Sequence, residues 1–474
     1  MKKLIIVLSV ILVACSEQFD QMPSDQLPSS AAITTVNDLQ LAMNGVYTLL
    51  VTQNNGDPEF YTGDFGLYAD GKGGDTKYMS NSNQFSPITR YQHDATSTYS
   101  VGFYEVIYIA LARINNILEV VDNINVSSDE EDAYTDLVGQ LYGMRALLHF
   151  DAARLFAQLP TVAADMNAAN SGIVIADAYY QPGSTFKRST LTQTYDFIKA
   201  DLVTALSKLS KDPKYGMLNY WAAKAIQSRV FLYLGDYNNA LASAIEVINN
   251  NAGYRLYQIS EYLSAWSKTA TPESLFELIT NDLVNAQRNS LGYYTIPDGY
   301  AEVAATDEFA SWLRSDPNDV RSGMVAEMST DGEFLAWYPQ KYLGQEGASA
   351  PSYVNNPKII RMSEVYLIAA EARLKGGNAT GALSAVDYYN ALRAKRITGY
   401  INATSVTLND ILDERRRELF CENHRFFDLV RNRIDLNAPL VQLEPISYTD
   451  YRVLVAIPQR ETDISPELAQ NPGY

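Results

Sequence analysis

Apolar residues along much of the chain recur at steps of three and four, the spacing of one face of an α-helix. Phe103, Ile107, Leu111, Ile114, Leu118 and Val121 form one such stripe, and Leu137, Leu141, Leu148, Ala152 and Leu155 form a second. The two segments, 103–158, are expected to pack as a pair. Leu191, Tyr195, Ile198, Leu202, Leu206 and Leu209 predict a third helix, closed by Asp212-Pro213. A fourth runs through Ala222, Ala223, Ile226, Val230 and Leu234, stops at Gly235-Asp236 and restarts at once from Tyr237 to Asn249. Glycine after the last periodic residue is a helix C-terminal signal, so 191–249 ends in a helix hairpin.

The hairpin turn reads Gly235-x-Tyr237-x-x-Ala240, similar to the turn and second helix of a tetratricopeptide repeat, and Gly377-x-Ala379-x-x-Ala382 repeats it after the helix Ser363 to Leu374. A spacing of 142 residues, 235 to 377, is far from the period of ~34 in a tandem array. The hairpins near 103–158, 191–249 and 361–395 are therefore expected to be scattered in a larger mainly α fold, not stacked as a continuous solenoid.

Two stretches lack helical period. Residues 57–99 and 250–358 are rich in Gly, Pro, Asn and Asp, and the second carries Tyr254, Tyr257, Tyr262, Trp266, Tyr293, Tyr294, Tyr300, Trp312, Trp337, Tyr338, Tyr342 and Tyr353. Long irregular segments on a helical scaffold are functional surfaces or short strands and turns. Ser274 to Ile279 and Tyr451 to Ile457 read as β-like runs, the latter stopped by Pro458.

The N-terminus sets the compartment. Lys2 and Lys3 precede an apolar run from Leu4 to Val13, too short to span a bilayer as a helix. The run ends Leu12-Val13-Ala14-Cys15, which resembles a bacterial lipobox cut before the cysteine. Residues 1–14 are thus expected to be a lipoprotein signal peptide, Cys15 the acylated N-terminus, 15–30 a polar tether and 31–474 one folded domain. Cys421 is the other cysteine of two; with Cys15 acylated it is expected to be reduced and buried.

Charge and missing motifs narrow the function. Lys plus Arg is 37 against 55 Asp plus Glu, a formal charge of −18, which argues against nucleic acid because phosphate binding needs a basic surface. Removing Lys2 and Lys3 leaves 35 against 55, or −20. His93, His149 and His424 are far apart, and the chain holds no H-E-x-x-H, no phosphate-binding glycine loop and no G-x-S-x-G. Asp70 to Asp75 lacks the spaced ligands of a calcium loop and reads as a polar turn. No catalytic residue, metal site or cofactor is expected.

A family resemblance lies at both ends. Cys15 followed by Asp20, Pro23-Ser24-Asp25 and Asn44-Gly45-Val46-Tyr47 resembles the start of the SusD/RagB family of outer-membrane lipoproteins from Bacteroidota. Asp413-Glu-Arg-Arg-Arg-Glu-Leu-Phe-Cys-Glu422 and Arg425-Phe-Phe-Asp-Leu-Val-Arg431 are similar to that family's E-R-R-x-E-L-x-x-E-G-x-R-x-x-D-L-x-R stretch. Arg361 to Leu367 with Ala370-Glu371-Ala372 matches another family segment, and Ile457-Pro458 and Gln470-Asn471-Pro472-Gly473-Tyr474 resemble its closing motifs. Asn423 stands where the family usually has Gly, and Ser465 where it often has Asn. The resemblance implies a cell-surface protein that binds a glycan or other nutrient and caps a SusC-like TonB-dependent transporter.

Sugar rings have apolar faces and hydroxyl edges, so a glycan site needs aromatic platforms bordered by polar groups. Tyr293, Tyr294, Tyr300 and Trp312 lie among turn residues and are the platform candidates, with Tyr61, Phe65 and Tyr68 as the second choice; Trp221 and Trp266 read as core. The same aromatics would serve a peptide pocket or a lid that mainly contacts the transporter, and the sequence leaves these open. Glu414, Glu418 and Glu422, spaced by one helical turn on a helix beginning near Thr407, are expected to pair with Arg415, Arg425 and Arg431, with Asp428 in the same structural motif. Arginine neighbours keep carboxylates ionised and deny them general-acid work.

Overall fold

In the computed structural model of the chain, residues 32–52, 60–79, 84–181, 183–329, 335–437 and 445–474 are described; Cys15, the signal and the tether lie outside them. The described helices are α1 (Val36–Leu49), α2 (Asp64–Lys72), α3 (Thr98–Val120), α4 (Glu131–Phe156), α5 (Leu191–Lys208), α6 (Tyr220–Leu234) and α7 (Tyr237–Ile248), then α8 (Leu291–Thr295), α9 (Asp307–Leu313), α10 (Met362–Leu374), α11 (Ala385–Arg393), α12 (Leu408–Glu418) and α13 (Arg425–Arg431), besides a few single turns. Their starts follow local chemistry. Thr35 with Asp38, Thr190 with Gln193, Ser384 with Asp387 and Thr407 with Asp410 form reciprocal capping boxes that satisfy free backbone N–H groups. Gly235 ends α6 with φ of +76°, a conformation open to glycine at no steric cost.

Helices pack in succession: α3 on α4, α4 on α5, α5 on α6, α6 on α7, α7 on α10, and α10 on α11 and α12. The expectation of scattered hairpins is corrected here. The chain leaves the stack after α7 and returns at α10, where the Asn378 N–H donates to Asn238 Oδ1 at 2.8 Å, so the two glycine turns touch across 142 residues. The second motif also differs in detail. Residues 375–384 form a loop, and α11 begins only at Ala385, so Ala379 and Ala382 precede the helix they were expected to start.

The intervening segment carries most of the β-structure. A four-stranded sheet has the order β1 (Thr76–Tyr78), β3 (Val303–Ala305), β5 (Leu335–Pro339), β4 (Val325–Ser329), all antiparallel. A second pair joins β2 (Ser274–Glu277) to β6 (Lys358–Arg361). Trp221 and Trp266 are buried as expected. The run from Tyr451 is not a strand: it is one 3-10 turn followed by extended chain. One backbone bond, from the Val455 N–H to the Leu155 carbonyl at 2.8 Å, ties it to α4, and side chains take other groups: Gln470 bonds both the N–H and the C=O of Ile457, and Asn471 donates to the Val455 carbonyl and to that of Phe156. Asn471 also accepts from Arg188 at 2.7 Å, and the Tyr474 hydroxyl donates to the Leu454 carbonyl and meets His93. The closing Gln-Asn-Pro-Gly-Tyr motif thus pins the chain end to the α4 terminus.

The charged motif sits at the centre. Glu418 is fully buried and accepts from Arg396 Nε and Nη2 at 2.9 Å each, from Arg361 Nη1 at 3.1 Å and from Arg321 Nη1 at 3.2 Å. Glu414 accepts from Arg321 and Arg393, and Glu422 from Lys341 and Arg361. The expected partners Arg415, Arg425 and Arg431 are therefore corrected. Arg415 Nε donates to Asp428 at 2.7 Å, Arg431 bridges Asp428 and Glu371, and Arg425 lies near Asp75. The helix also ends at Glu418, leaving Glu422 on the following turn. Cys421 and Asn423 in that turn have φ of +58° and +64°, so Asn at the family's Gly position keeps the left-handed bend. Cys421 is free and buried.

Asp428→Ala should lower unfolding stability by about 3–5 kcal/mol, because it strands Arg415 in the interior, while Arg431 keeps its pair with Glu371. Arg425→Ala should cost only about 1 kcal/mol, since its 3.5 Å contact with Asp75 is partly exposed. Urea titration of both variants checks the order; equal losses would contradict it.

Candidate functional site

Tyr293, Tyr294, Tyr300 and Tyr353 of the 250–358 segment meet where α8 packs under the loop before β6. Ser290 caps α8, accepting from the Tyr293 N–H at 3.3 Å, and its hydroxyl donates to the Ser352 carbonyl at 2.7 Å. Gly292 is forced by close approach: a Cβ there would lie 2.6 Å from the Ser352 oxygen and 2.7 Å from the Tyr342 oxygen. The Tyr300 N–H donates to the Tyr293 carbonyl at 2.7 Å and closes a tight loop. These bonds set the rings of Tyr293 and Tyr300 edge to face at 4.8 Å, with Tyr353 at 5.5 Å from Tyr293. All three are half-buried. The exposed Arg288 hydrogen-bonds the Tyr353 side chain, and that bond, with the nearby Tyr293 and Tyr300 phenols, raises the guanidinium pKa. Gln287 before α8 and Asp298 after it are exposed polar groups.

A buried acid lies beneath the cluster. Tyr294 packs 5.9 Å from Tyr300 and points inward, its hydroxyl bonded to Asp64 at the start of α2. Burial pushes the Asp64 pKa up to about 7; the Tyr294 bond works against the shift and the neighbouring Glu302 adds to it. Glu302 itself accepts from the Gln84 and Phe85 N–H groups at 2.9 and 2.8 Å.

Other platform candidates are corrected. Tyr294 is 2% exposed and belongs to the floor, not the face. Tyr61, Phe65 and Tyr68 are core residues, because α2 is buried almost all round: Phe65 stacks on Phe60 at 4.1 Å, Tyr61 bonds Asp151, and Tyr68 packs between Phe103 and Phe426 and accepts from the buried Lys72. Trp312 is half-buried and lies apart from the Tyr293 cluster, with the guanidinium groups of Arg417 and Arg416 3.9 and 4.6 Å from its ring centre. Tyr353 and Arg288 were not singled out from the sequence; the turn residues Pro351-Ser352 before Tyr353 are the signal that marks it.

Glu414 and Glu418 have no open approach for a substrate. Burial works to raise the Glu418 pKa, but Arg396, Arg361 and Arg321 outweigh it and hold the carboxyl well below the usual range. Among the described residues, no group of three or more His, Cys, Asp or Glu is placed to hold a metal ion.

Comparison with known proteins agrees along the whole chain. The SusD family model matches residues 320–474, and a model described as starch-binding associating with outer membrane matches residues 24–232. A SusD superfamily protein from Bacteroides thetaiotaomicron is 30% identical, with 93% of this chain and 100% of that one covered and a TM-score of 0.82. A SusD superfamily protein from Bacteroides vulgatus is 29% identical with a TM-score of 0.84, covering 93% of this chain and 100% of that one. SusD-like protein P2 from Formosa agariphila is 24% identical across 99% of this chain and 98% of its own.

Asp64 generates a pH test. Its folded pKa of about 7 lies above the ordinary aspartate value of 3.8, so between these the folded chain binds the extra proton, and stability falls as pH rises through that window. Asp64→Asn removes this dependence. Relative to wild type, the variant should gain stability between about pH 5 and about pH 8, by a few kcal/mol in urea unfolding; parallel pH curves would show that Asp64 stays ionised throughout.

Proposed function

Because the chain belongs to the SusD family, we propose that it is a cell-surface nutrient-binding lipoprotein that takes up an oligosaccharide on the Tyr293–Tyr300–Tyr353 face and delivers it to a SusC-like TonB-dependent outer-membrane transporter. The observation that carries the reading is the geometry of that face. Two half-exposed rings are held edge to face by backbone bonds, with a third ring and a guanidinium beside them, so the binding surface exists before ligand arrives. Tyrosine suits the task, since its ring stacks on the C–H face of a sugar while its hydroxyl stays wet. The starch-binding description of the family model over residues 24–232 supports a glycan as the ligand class. The protein acts by binding, without chemistry of its own.

A calorimetric screen of the soluble body against neutral oligosaccharides tests this. Tyr293→Ala and Tyr300→Ala should fold normally and weaken binding by roughly 1–3 kcal/mol per ring. Unchanged glycan affinity with persistent transporter association would favour the lid reading, and a peptide hit in place of a glycan would favour the peptide reading.

The anchor belongs to the same proposal. Cys15→Ala should move the protein from the outer-membrane fraction to the soluble one; a variant that still pellets with membranes at high salt would refute acylation at Cys15.

A further inference from the structure

The loop that carries Tyr293 and Tyr300, residues 293–302, is tied down at both ends, and a buried carboxyl sits at each tie. At its start, the Leu291 N–H donates to the Thr62 carbonyl at 2.6 Å, and the Tyr294 hydroxyl bonds Asp64 at the head of α2. At its end, Glu302 accepts from the Gln84 and Phe85 N–H groups, and the Phe85 ring packs 6.0 Å from that of Tyr294. Between the ties Ala301 has φ of +52°, a left-handed conformation that costs a residue with a Cβ and persists only where its surroundings impose it.

Asp64 is the sensitive tie. It is 5% exposed, and its Oδ1 is buried with no hydrogen-bond partner. Among the described residues, the titratable groups that act on it are Tyr294 from α8, Glu302 before β3 and Tyr99 from α3, and none of these is a cation. Glu418 is the contrast, equally buried but matched by three guanidinium groups. An ionised Asp64 would hold one oxygen away from both water and any donor, beside a second carboxylate, so burial favours the neutral acid.

We propose that the proton on Asp64 clamps the ligand face: while it is bound the 293–302 loop is ordered, and its loss as pH rises frees Tyr294 and, through it, the Tyr293–Tyr300 pair. The inference rests on reading that face as the ligand site. The sign follows from linkage. An open loop leaves Asp64 near the ordinary aspartate value of 3.8 and the closed loop holds it at about 7, so across that window opening becomes easier as pH rises, then levels off. One proton released per opening corresponds to a slope of up to about tenfold per pH unit.

Hydrogen exchange of the full chain in detergent, read by mass spectrometry and corrected for the intrinsic rate, tests the clamp. Peptides over 291–303 should exchange ahead of those in α3 and α4, by a local opening, and should lose protection from about pH 5 to about pH 7 but no further above it. Asp64→Asn should keep the loop protected throughout. If that variant does not fold, Tyr294→Phe serves instead: it removes a bond that favours the ionised carboxyl, so the window should extend to higher pH. Maltoheptaose should bind the wild type at least about threefold more tightly at about pH 5 than at about pH 8, and Asp64→Asn equally at both. A pH-independent loop, exchange in step with α3 and α4, a wild-type profile in Asp64→Asn, an unmoved window in Tyr294→Phe, or equal maltoheptaose affinity for the wild type at both pH values would each overturn the proposal. The expected exchange without maltoheptaose binding at any pH would support the clamp and count against the glycan reading of the face.

Discussion

Glu418 is the point on which the described chain depends. Its carboxylate gathers guanidinium groups from Arg321, Arg361 and Arg396, which lie after α9, at the end of β6 and after α11. Glu273, before β2, completes the ring by accepting from Arg361 and Arg396. The attraction among these groups roughly offsets the cost of taking them out of water, so the cluster contributes less to net stability than its bonds suggest. Its effect is on specificity of assembly. Any arrangement that leaves one member unmatched buries a bare charge, and so five segments separated by up to 145 positions, Glu273 to Glu418, must arrive together.

That constraint extends outward to the aromatic face. Lys341 donates to Glu422 and to the Glu418 carbonyl, and the next residue, Tyr342, donates its hydroxyl to the Cys421 carbonyl at 2.6 Å. The backbone of Tyr342 in turn abuts Gly292, one residue before Tyr293. A short run of packed groups therefore connects the buried charges to the exposed rings. The face sits on an irregular segment yet is fixed like part of the core.

Long helices were legible because their apolar period survives in the sequence: Phe103, Ile107, Leu111 and Ile114 are all buried on α3. Helix α2 was not, since eight of its nine residues are buried and the contrast between faces disappears. The identity of the E-R-R-x-E partners could not be read either. Local spacing offered Arg415, Arg425 and Arg431, while the cations that face Glu414 and Glu418 come from Arg321, Arg361, Arg393 and Arg396, whose approach is a property of the tertiary fold. At the site, Tyr293 and Tyr294 are neighbours that a helical turn sends to opposite environments, one outward and one onto Asp64. Composition shows two tyrosines; only the placement of α8 says which one faces solvent.

Charge matching in the interior also determines what the surface presents. With the cations of the Glu418 cluster and of the Asp428–Glu371 group paired to carboxylates, the excess of 55 acids over 37 bases falls largely outside the core. An acidic exterior repels polyanions at contact range, and at physiological ionic strength its field fades within about 8 Å. A neutral ligand then gains little from long-range steering and must be held by contact. Tryptophan, the strongest stacking ring, is little used for this: Trp221 and Trp266 are buried, while Trp312 and Trp337 lie under arginines. Open aromatic surface is left to tyrosines such as Tyr293, Tyr300 and Tyr215, which offer a stacking face and a hydrogen-bonding edge in one side chain.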